Sequence, residues 1–215
     1  MNDITMKSAH FERMDKLVII LHGYGNSGSD YIKIGKTFLT PSVDNAIFLF
    51  PDAPNPCETW TGRQWFPLSL DNMGFEEIRK GLDYSAPNLC KYIETKSLEF
   101  RCDNVYLVGI SQGAIMALEM MYYTKISKIL VCCGLFAPNA YRKNVSTPEI
   151  LLVHSVDDNV IPYERALQAK SVLEQLGLNA SLHTCYNTRH KVSKEGWEIA
   201  TEFLKNDTDM QNFQA

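Results

Sequence analysis

Ser111 lies at the centre of the segment Gly109–Gly113, whose sequence Gly-Ile-Ser-Gln-Gly has the form G-x-S-x-G. The apolar run Val105–Val108 comes directly before it, and an apolar helical pattern begins after it near Ala114. A strand that turns this sharply into a helix holds the central serine in a strained conformation with its hydroxyl above the sheet. Flanking glycines avoid collisions across the turn, and the helix N-terminus favours the negative charge of attack. The context therefore predicts that Ser111 is a nucleophile.

A serine hydroxyl also needs a histidine base and an acid that orients the base, which follow in the order Ser, Asp, His in this kind of fold. Asp157 and Asp158 come shortly after the apolar run Ile150–Val153, and their spacing alone does not rank them. His190 follows both Ser111 and the acids in a predicted loop, so we expect it to be the base. We expect structural roles for the other histidines, which are His10, His22, His154 and His183.

The glycine-rich segment Leu21–Gly25 follows the first strong apolar run and could bring a backbone N–H close to a reacting carbonyl. The expected oxyanion donors are the backbone N–H groups of Tyr24 and of Gln112, the residue after the nucleophile. The overlapping segment Gly23–Gly28 also fits G-x-G-x-x-G in form. A lone match of this kind is weak support for a dinucleotide site.

Short apolar runs alternate with helical patterns along the chain, which predicts the α/β class. The predicted strands are Leu17–Leu21, Ala46–Phe50, Val105–Val108, Ile129–Cys133, Ile150–Val153 and, nearer an edge, Ala180–Tyr186. The predicted helices are Glu76–Phe100, Ala114–Tyr122, Tyr163–Leu176 and Lys194–Leu204. Continuous apolar strands indicate a mostly parallel central sheet with helices on both faces. Pro87 either kinks the first helix or opens a second one.

The length of the chain favours a single domain over residues 1–215, with a core from about residue 16 to 205 and a polar tail at 206–215. Its net charge is −4, and its 21 lysines and arginines are scattered, so we expect no nucleic-acid partner. Met1–Lys16 lacks the pattern of a secretory signal, and no apolar run approaches the roughly 20 residues that span a bilayer. We therefore expect a cytoplasmic protein without stable membrane insertion.

The six cysteines do not have the C-x-x-C spacing of zinc or redox sites. We expect them to be reduced, with Cys132 and Cys133 as small core side chains. The sequence gives no reason to expect a metal or a cofactor, and it leaves the oligomeric state open.

Five motifs together resemble those of the phospholipase/carboxylesterase family, which includes acyl-protein thioesterases. They are LHGYG at Leu21–Gly25, FPDAP at Phe50–Pro54, GISQG at Gly109–Gly113, DNVIP at Asp158–Pro162 and HKVS at His190–Ser193. The resemblance covers about residues 16 to 205 and implies the α/β-hydrolase fold. It also implies that Asp158, which begins the D-x-x-[VI]-P stretch, is the acid, and that the oxyanion donors fall on Tyr24 and Gln112.

The family's aromatic loop corresponds to the segment Gln64–Pro67, so Trp65 and Phe66 are expected to contact substrate, with core packing as the alternative for Trp65. Two positions depart from the family pattern, because Ser155 and Arg189 stand where glycine is usual.

The implied function is a serine hydrolase that cleaves carboxylic esters or thioesters through an acyl-enzyme. One alternative is an acyl-protein thioesterase or lysophospholipase acting on long acyl chains. The other is a ligand-binding protein that keeps the fold without turnover.

Overall fold

The structure, a computed structural model, describes residues 1–10, 12–58, 61–68 and 74–205. Its strands are β1 (Asp3–Lys7), β2 (Lys16–Leu21), β3 (Ala46–Pro51), β4 (Asn55–Pro56), β5 (Arg63–Gln64), β6 (Asn104–Ile110), β7 (Lys128–Cys132), β8 (Glu149–Ser155) and β9 (Ala180–Cys185). Seven of them form one sheet in the order β1-β3-β2-β6-β7-β8-β9, and β4 pairs with β5. The polar tail proposed for 206–215 lies outside the described residues.

The central sheet is mostly parallel, as the sequence predicts. All neighbouring strands from β3 to β9 pair in parallel, and β1 alone is antiparallel, to β3. The six predicted strands are present, and β9 lies at the edge expected from its alternating pattern. The sequence reading missed β1 because its residues are mostly exposed and do not form an apolar run.

Both faces of the sheet are buried, which explains why its central strands read as continuous apolar runs. In β2, Leu17, Ile19 and Leu21 belong to one hydrophobic cluster, whereas Val18 and Ile20 belong to the other. Successive side chains of a strand point to opposite faces, so each strand serves two cores. The helices are α1 (Ile32–Ile34), α2 (Phe75–Phe100), α3 (Gln112–Glu119), α4 (Glu164–Gln175) and α5 (Lys194–Lys205). The first core packs against α2, α3 and α4, and the second against α5 and the region that contains α1.

Three features of the helices refine the sequence reading. α2 runs for 26 residues with Pro87 inside it, so the proline does not divide the helix. Gly177 follows α4 with a φ of 76°, the left-handed conformation expected of a C-terminal cap. α1 is a single turn between a 3₁₀ segment, Gly28–Tyr31, and a π-helical segment, Gly35–Leu39, an irregular region that the sequence pattern did not predict. Over the described part of the chain, no helix is both long and apolar enough to cross a membrane.

A buried ion pair joins α2 to α3, the helix that follows Ser111. Arg79 Nη1 donates to Glu119 Oε2 at 2.8 Å and to the carbonyl of Ala137 at 3.0 Å. Glu119 is 1% exposed, and burial raises the pKa of its carboxyl despite the opposing effect of the guanidinium.

Replacing Glu119 by alanine would leave the partly buried guanidinium without its main partner. We expect Glu119→Ala to lower the free energy of unfolding by roughly 3–5 kcal/mol, measured by urea denaturation. Glu77→Ala is the matched control. It removes an exposed partner of Lys80 on α2 and should change the free energy of unfolding little. An equally small effect of Glu119→Ala would show that the buried pair does not stabilise this helix contact.

Candidate active site

The turn at Ser111 has the strained geometry that the sequence predicts. Ser111 adopts φ 52° and ψ −114° between β6 and α3, and its N–H donates to the carbonyl of Cys132 at 2.9 Å. A Cβ at Gly109 would lie 2.4 Å from Cα of Ala114, and a Cβ at Gly113 would lie 2.1 Å from the carbonyl oxygen of Leu21. Both glycines are therefore required by close backbone approach.

His190 joins the serine to an acid. Its Nε2 lies 3.0 Å from Ser111 Oγ, and its Nδ1 lies 2.7 Å from Asp158 Oδ2. The three residues follow β6, β8 and β9, whose carboxyl ends meet at one edge of the parallel sheet. With Nδ1 protonated and bonded to the carboxylate, Nε2 is free to accept the proton of the serine hydroxyl.

Asp158 is held by four donors. Its Oδ1 accepts the N–H groups of Val160 at 2.8 Å and Ile161 at 2.9 Å, and its Oδ2 accepts from His190 and from His154 Nε2, which is 3.2 Å away. Burial alone would raise the pKa of Asp158, but these hydrogen bonds outweigh it and hold the pKa well below its usual range. The carboxylate is therefore ionised and fixed in orientation.

The sequence reading gave His154 a structural role and did not place it beside the acid. Its Nε2 lies 2.8 Å from the carbonyl of Ile161 as well as near Asp158, so an N–H there donates to both. The spacing of four residues between His154 and Asp158, with the strand ending between them, was the signal that could have suggested this contact.

Asp157 contacts the backbone that precedes His190 in the chain. Its carboxylate accepts the N–H groups of Thr188 at 3.2 Å and Arg189 at 3.1 Å, and the hydroxyl of Ser155 at 2.5 Å. The hydrogen bond from Ser155 is the main reason that the pKa of Asp157 is lowered. The structure thus separates the two neighbouring acids, and only Asp158 contacts His190.

The glycine-rich loop after β2 lies beside the serine, and Tyr24 lines the same cavity as Ser111, Gln112 and His190. The dinucleotide alternative does not fit this loop. Gly28 is packed against β3, where an added Cβ would lie 2.1 Å from the carbonyl oxygen of Phe50. A backbone buried in this way offers no open cradle for a pyrophosphate.

Trp65 and Phe66 support the site from within the core. Trp65 is 1% exposed and Phe66 is fully buried, and the residues that line the cavity in the described structure include neither. Trp65 Nε1 donates to the carbonyl of His22 at 2.8 Å. The Gln112 side chain accepts the N–H of Trp65 at 2.9 Å and donates to the carbonyl of Phe66 at 2.7 Å. Both rings are packed in the core, which is the alternative that the sequence left open for Trp65, and the backbone N–H of Trp65 and carbonyl of Phe66 fix Gln112. Contact of either aromatic with substrate stays a prediction.

The cavity in front of Ser111 has a volume of about 630 Å³. Its apolar lining residues are Leu68, Ile78, Ile110, Ile115, Val160 and Ile161. Its polar lining residues include Asn26, Asp30, Tyr31 and Lys191. Ser111 and His190 lie among these lining residues, so an apolar group bound in the cavity would be within reach of the nucleophile.

One set of side chains in the described residues has the composition of a metal site. Ligand atoms of Cys133, Asp158 and His190 all lie within 4.8 Å of one another. Burial, together with the charge of Asp158, raises the pKa of the Cys133 thiol far above its usual value, so the thiol is protonated at neutral pH. Because a metal needs the thiolate, and the other two groups already bond to each other, this set fits a hydrogen-bonded site better than a metal centre.

Comparisons with known proteins agree with this geometry. The family model described as phospholipase/carboxylesterase matches residues 6–207. The chain belongs to this family. An esterase named YpfH from Escherichia coli (strain K12) is 26% identical over 213 residues, covering 93% of this chain and 89% of that protein. Acyl-protein thioesterase 1 homolog 1 of Dictyostelium discoideum is 24% identical over 204 residues, covering 87% of this chain and 88% of that protein.

A solved structure gives the same picture at the level of the fold. The crystal structure of esterase PE8 superimposes with a TM-score of 0.87 at 29% identity, covering 94% of this chain and 96% of that one. The family member described here therefore has the α/β-hydrolase fold and is a hydrolase of ester bonds.

Proposed function

We propose that this hydrolase is a serine carboxylesterase that works through an acyl-enzyme, with Ser111, His190 and Asp158 as its catalytic triad. The observation that carries the proposal is the unbroken line of hydrogen bonds from Ser111 Oγ through both ring nitrogens of His190 to Asp158 Oδ2, at 3.0 and 2.7 Å. The serine has positive φ, and the acid has four donors. Such a costly arrangement is typical of a reacting site.

In the proposed mechanism, His190 Nε2 takes the proton of Ser111 as Oγ attacks the ester carbonyl. The backbone N–H groups of Tyr24 and Gln112 stabilise the oxyanion, and the imidazolium then protonates the leaving alcohol as the acyl-enzyme forms. Water, deprotonated by His190, releases the acid and restores the serine. Asp158 keeps the imidazole in the required tautomer throughout and stabilises its charged form.

The substrate that we propose is a small-molecule ester with an apolar acyl group. The six apolar residues of the cavity support this choice, and a volume of about 630 Å³ lies in the range of small-molecule sites. Hydrolysis of long-chain thioesters or lysophospholipids is the alternative, and the relative named a thioesterase favours it.

Hydrolysis of p-nitrophenyl esters from acetate to palmitate distinguishes these substrates. We expect kcat/KM to rise roughly fourfold per added methylene, at about 0.8 kcal/mol each, until the space against the apolar lining residues is filled. Val160→Trp, at the 40% exposed rim of the cavity, should move the optimum to shorter chains. Val145→Trp, at a 60% exposed position that is not among the lining residues, is the matched control.

An optimum at palmitate would favour the long-chain alternative, and an optimum unchanged by Val160→Trp would contradict the proposed acyl site. Absence of turnover at every length, together with failure to react with a fluorophosphonate, would favour a binding protein that has kept the fold.

We also propose that residues 1–215 act as one unit in a reducing compartment, with the cytoplasm as the expected location. All six cysteines are free, which suits reducing conditions.

A further inference from the structure

We propose that Asp157, anchored by Ser155, is a positioning residue that holds the backbone before His190 and so sets the distance from the imidazole to Ser111. The inference rests on the proposed function, because it assigns a role relative to the same base. The hydrogen bonds of the Asp157 carboxylate go to Ser155, Thr188 and Arg189, and not to the serine or the imidazole.

The bridge spans two strand ends. Ser155 is the last residue of β8, is fully buried and places its Oγ 2.5 Å from Asp157 Oδ1. Asp157 then accepts the N–H groups of Thr188 and Arg189, which lie in the loop that leaves β9. The N–H of Val156 also donates to the carbonyl of Cys185, the last residue of β9, at 3.1 Å. The segment that follows β8 is therefore fixed to the end of β9.

The held segment has a backbone that is unfavourable for side chains with a Cβ. Asn187 has φ 57° and Arg189 has φ 53°, so two residues just before His190 are in the left-handed region. Asparagine enters this region more readily than arginine does, and Arg189 is therefore the residue that most needs external support. The carboxylate of Asp157 supplies that support, because it accepts the N–H groups of Arg189 and of its neighbour Thr188.

The role of the bridge is to keep the imidazole in place. His190 is covalently joined to Arg189, and its two ring nitrogens need partners on two different elements, at 3.0 and 2.7 Å. A displacement of about 1 Å at a catalytic group can cost on the order of 10²-fold in rate. Loss of the bridge should thus lower the chemical rate without removing substrate contacts.

The test is kinetic and spectroscopic, on the full chain. Asp157→Ala should lower kcat for p-nitrophenyl butyrate by roughly 10- to 100-fold with KM nearly unchanged and with a melting temperature close to wild type, because Asp157 is exposed. The low-field proton resonance of His190 Nδ1–H, which reports its bond to Asp158, should broaden or disappear in this variant. Asp157→Asn keeps a side-chain oxygen acceptor and should retain more of kcat and of the resonance.

Asp44→Ala is the matched control, since Asp44 is also exposed but precedes β3, which is separated from β8 and β9 by three strands of the sheet. Wild-type kcat and an intact resonance in Asp157→Ala would overturn the inference, as would a loss of kcat explained by a lower melting temperature. Ser111→Ala run in parallel separates the two proposals. If Ser111→Ala is inactive while Asp157→Ala is fully active, only the positioning role fails, whereas an active Ser111→Ala would contradict the catalytic assignment itself.

Discussion

Replacing Ser111 by alanine should lower the rate of ester hydrolysis by on the order of 10⁴-fold or more. The substitution removes the only atom that the proposed mechanism uses to form the acyl-enzyme, while Cβ is retained, so the strained turn keeps the same backbone demands. Neither the cavity nor the Gln112 contacts to Trp65 and Phe66 depend on the hydroxyl. The variant should therefore fold and bind ester without turning it over.

The measurement is the initial rate with p-nitrophenyl butyrate, corrected for spontaneous hydrolysis, together with labelling by a fluorophosphonate. Ser171→Ala on the exposed face of α4 is the control and should match wild type in both assays. A Ser111→Ala variant that kept a large fraction of the rate would show that another group attacks the ester.

Changing Asp158 to asparagine should lower kcat by roughly 10²- to 10⁴-fold. The carboxylate is negatively charged and accepts four hydrogen bonds, so an amide in its place must turn an NH₂ group toward at least one donor. If the NH₂ faces Nδ1 of His190, the imidazole is driven to the wrong tautomer and Nε2 no longer accepts the serine proton. The charge that stabilises the imidazolium is lost in either orientation.

Asp157→Asn is the matched control for this experiment, because it makes the same chemical change one residue earlier, at an acid that does not contact the imidazole. We expect its kcat to stay much closer to wild type than that of Asp158→Asn, with both variants checked for a folded state by circular dichroism. Equal losses at the two positions would contradict the division of roles between the two acids.

The sequence predicted those parts of the fold and the site that depend on local pattern. Continuous apolar runs arise because β2 and its parallel neighbours are buried on both faces. Gly109 is required by close contacts within the turn at Ser111, so its cause lies within a few residues of its signal. Gly113 is required instead by the backbone of Leu21, which is distant in the chain.

The remaining features depend on contacts between residues that are distant in the chain. Trp65 is drawn into the core by partners at His22 and Gln112, more than 40 positions away on either side. The roles of Asp157 and Asp158 differ because the loop after β9 contacts Asp157 through backbone N–H groups and Asp158 through the imidazole of His190. Spacing within a short segment does not reveal such contacts. The family motif indicates that Asp158 is the acid, whereas the proposed role of Asp157 follows only from its contacts in the folded chain.

The most direct test of the account is to trap the covalent intermediate. The protein would be mixed with p-nitrophenyl butyrate, quenched in acid within the first turnovers, digested and examined by mass spectrometry. The account predicts a butyryl group on the peptide that contains Ser111, absent from the Ser111→Ala variant. Rapid hydrolysis with the acyl group on another residue, or with no acylated peptide under conditions that trap a known acyl-enzyme, would contradict it.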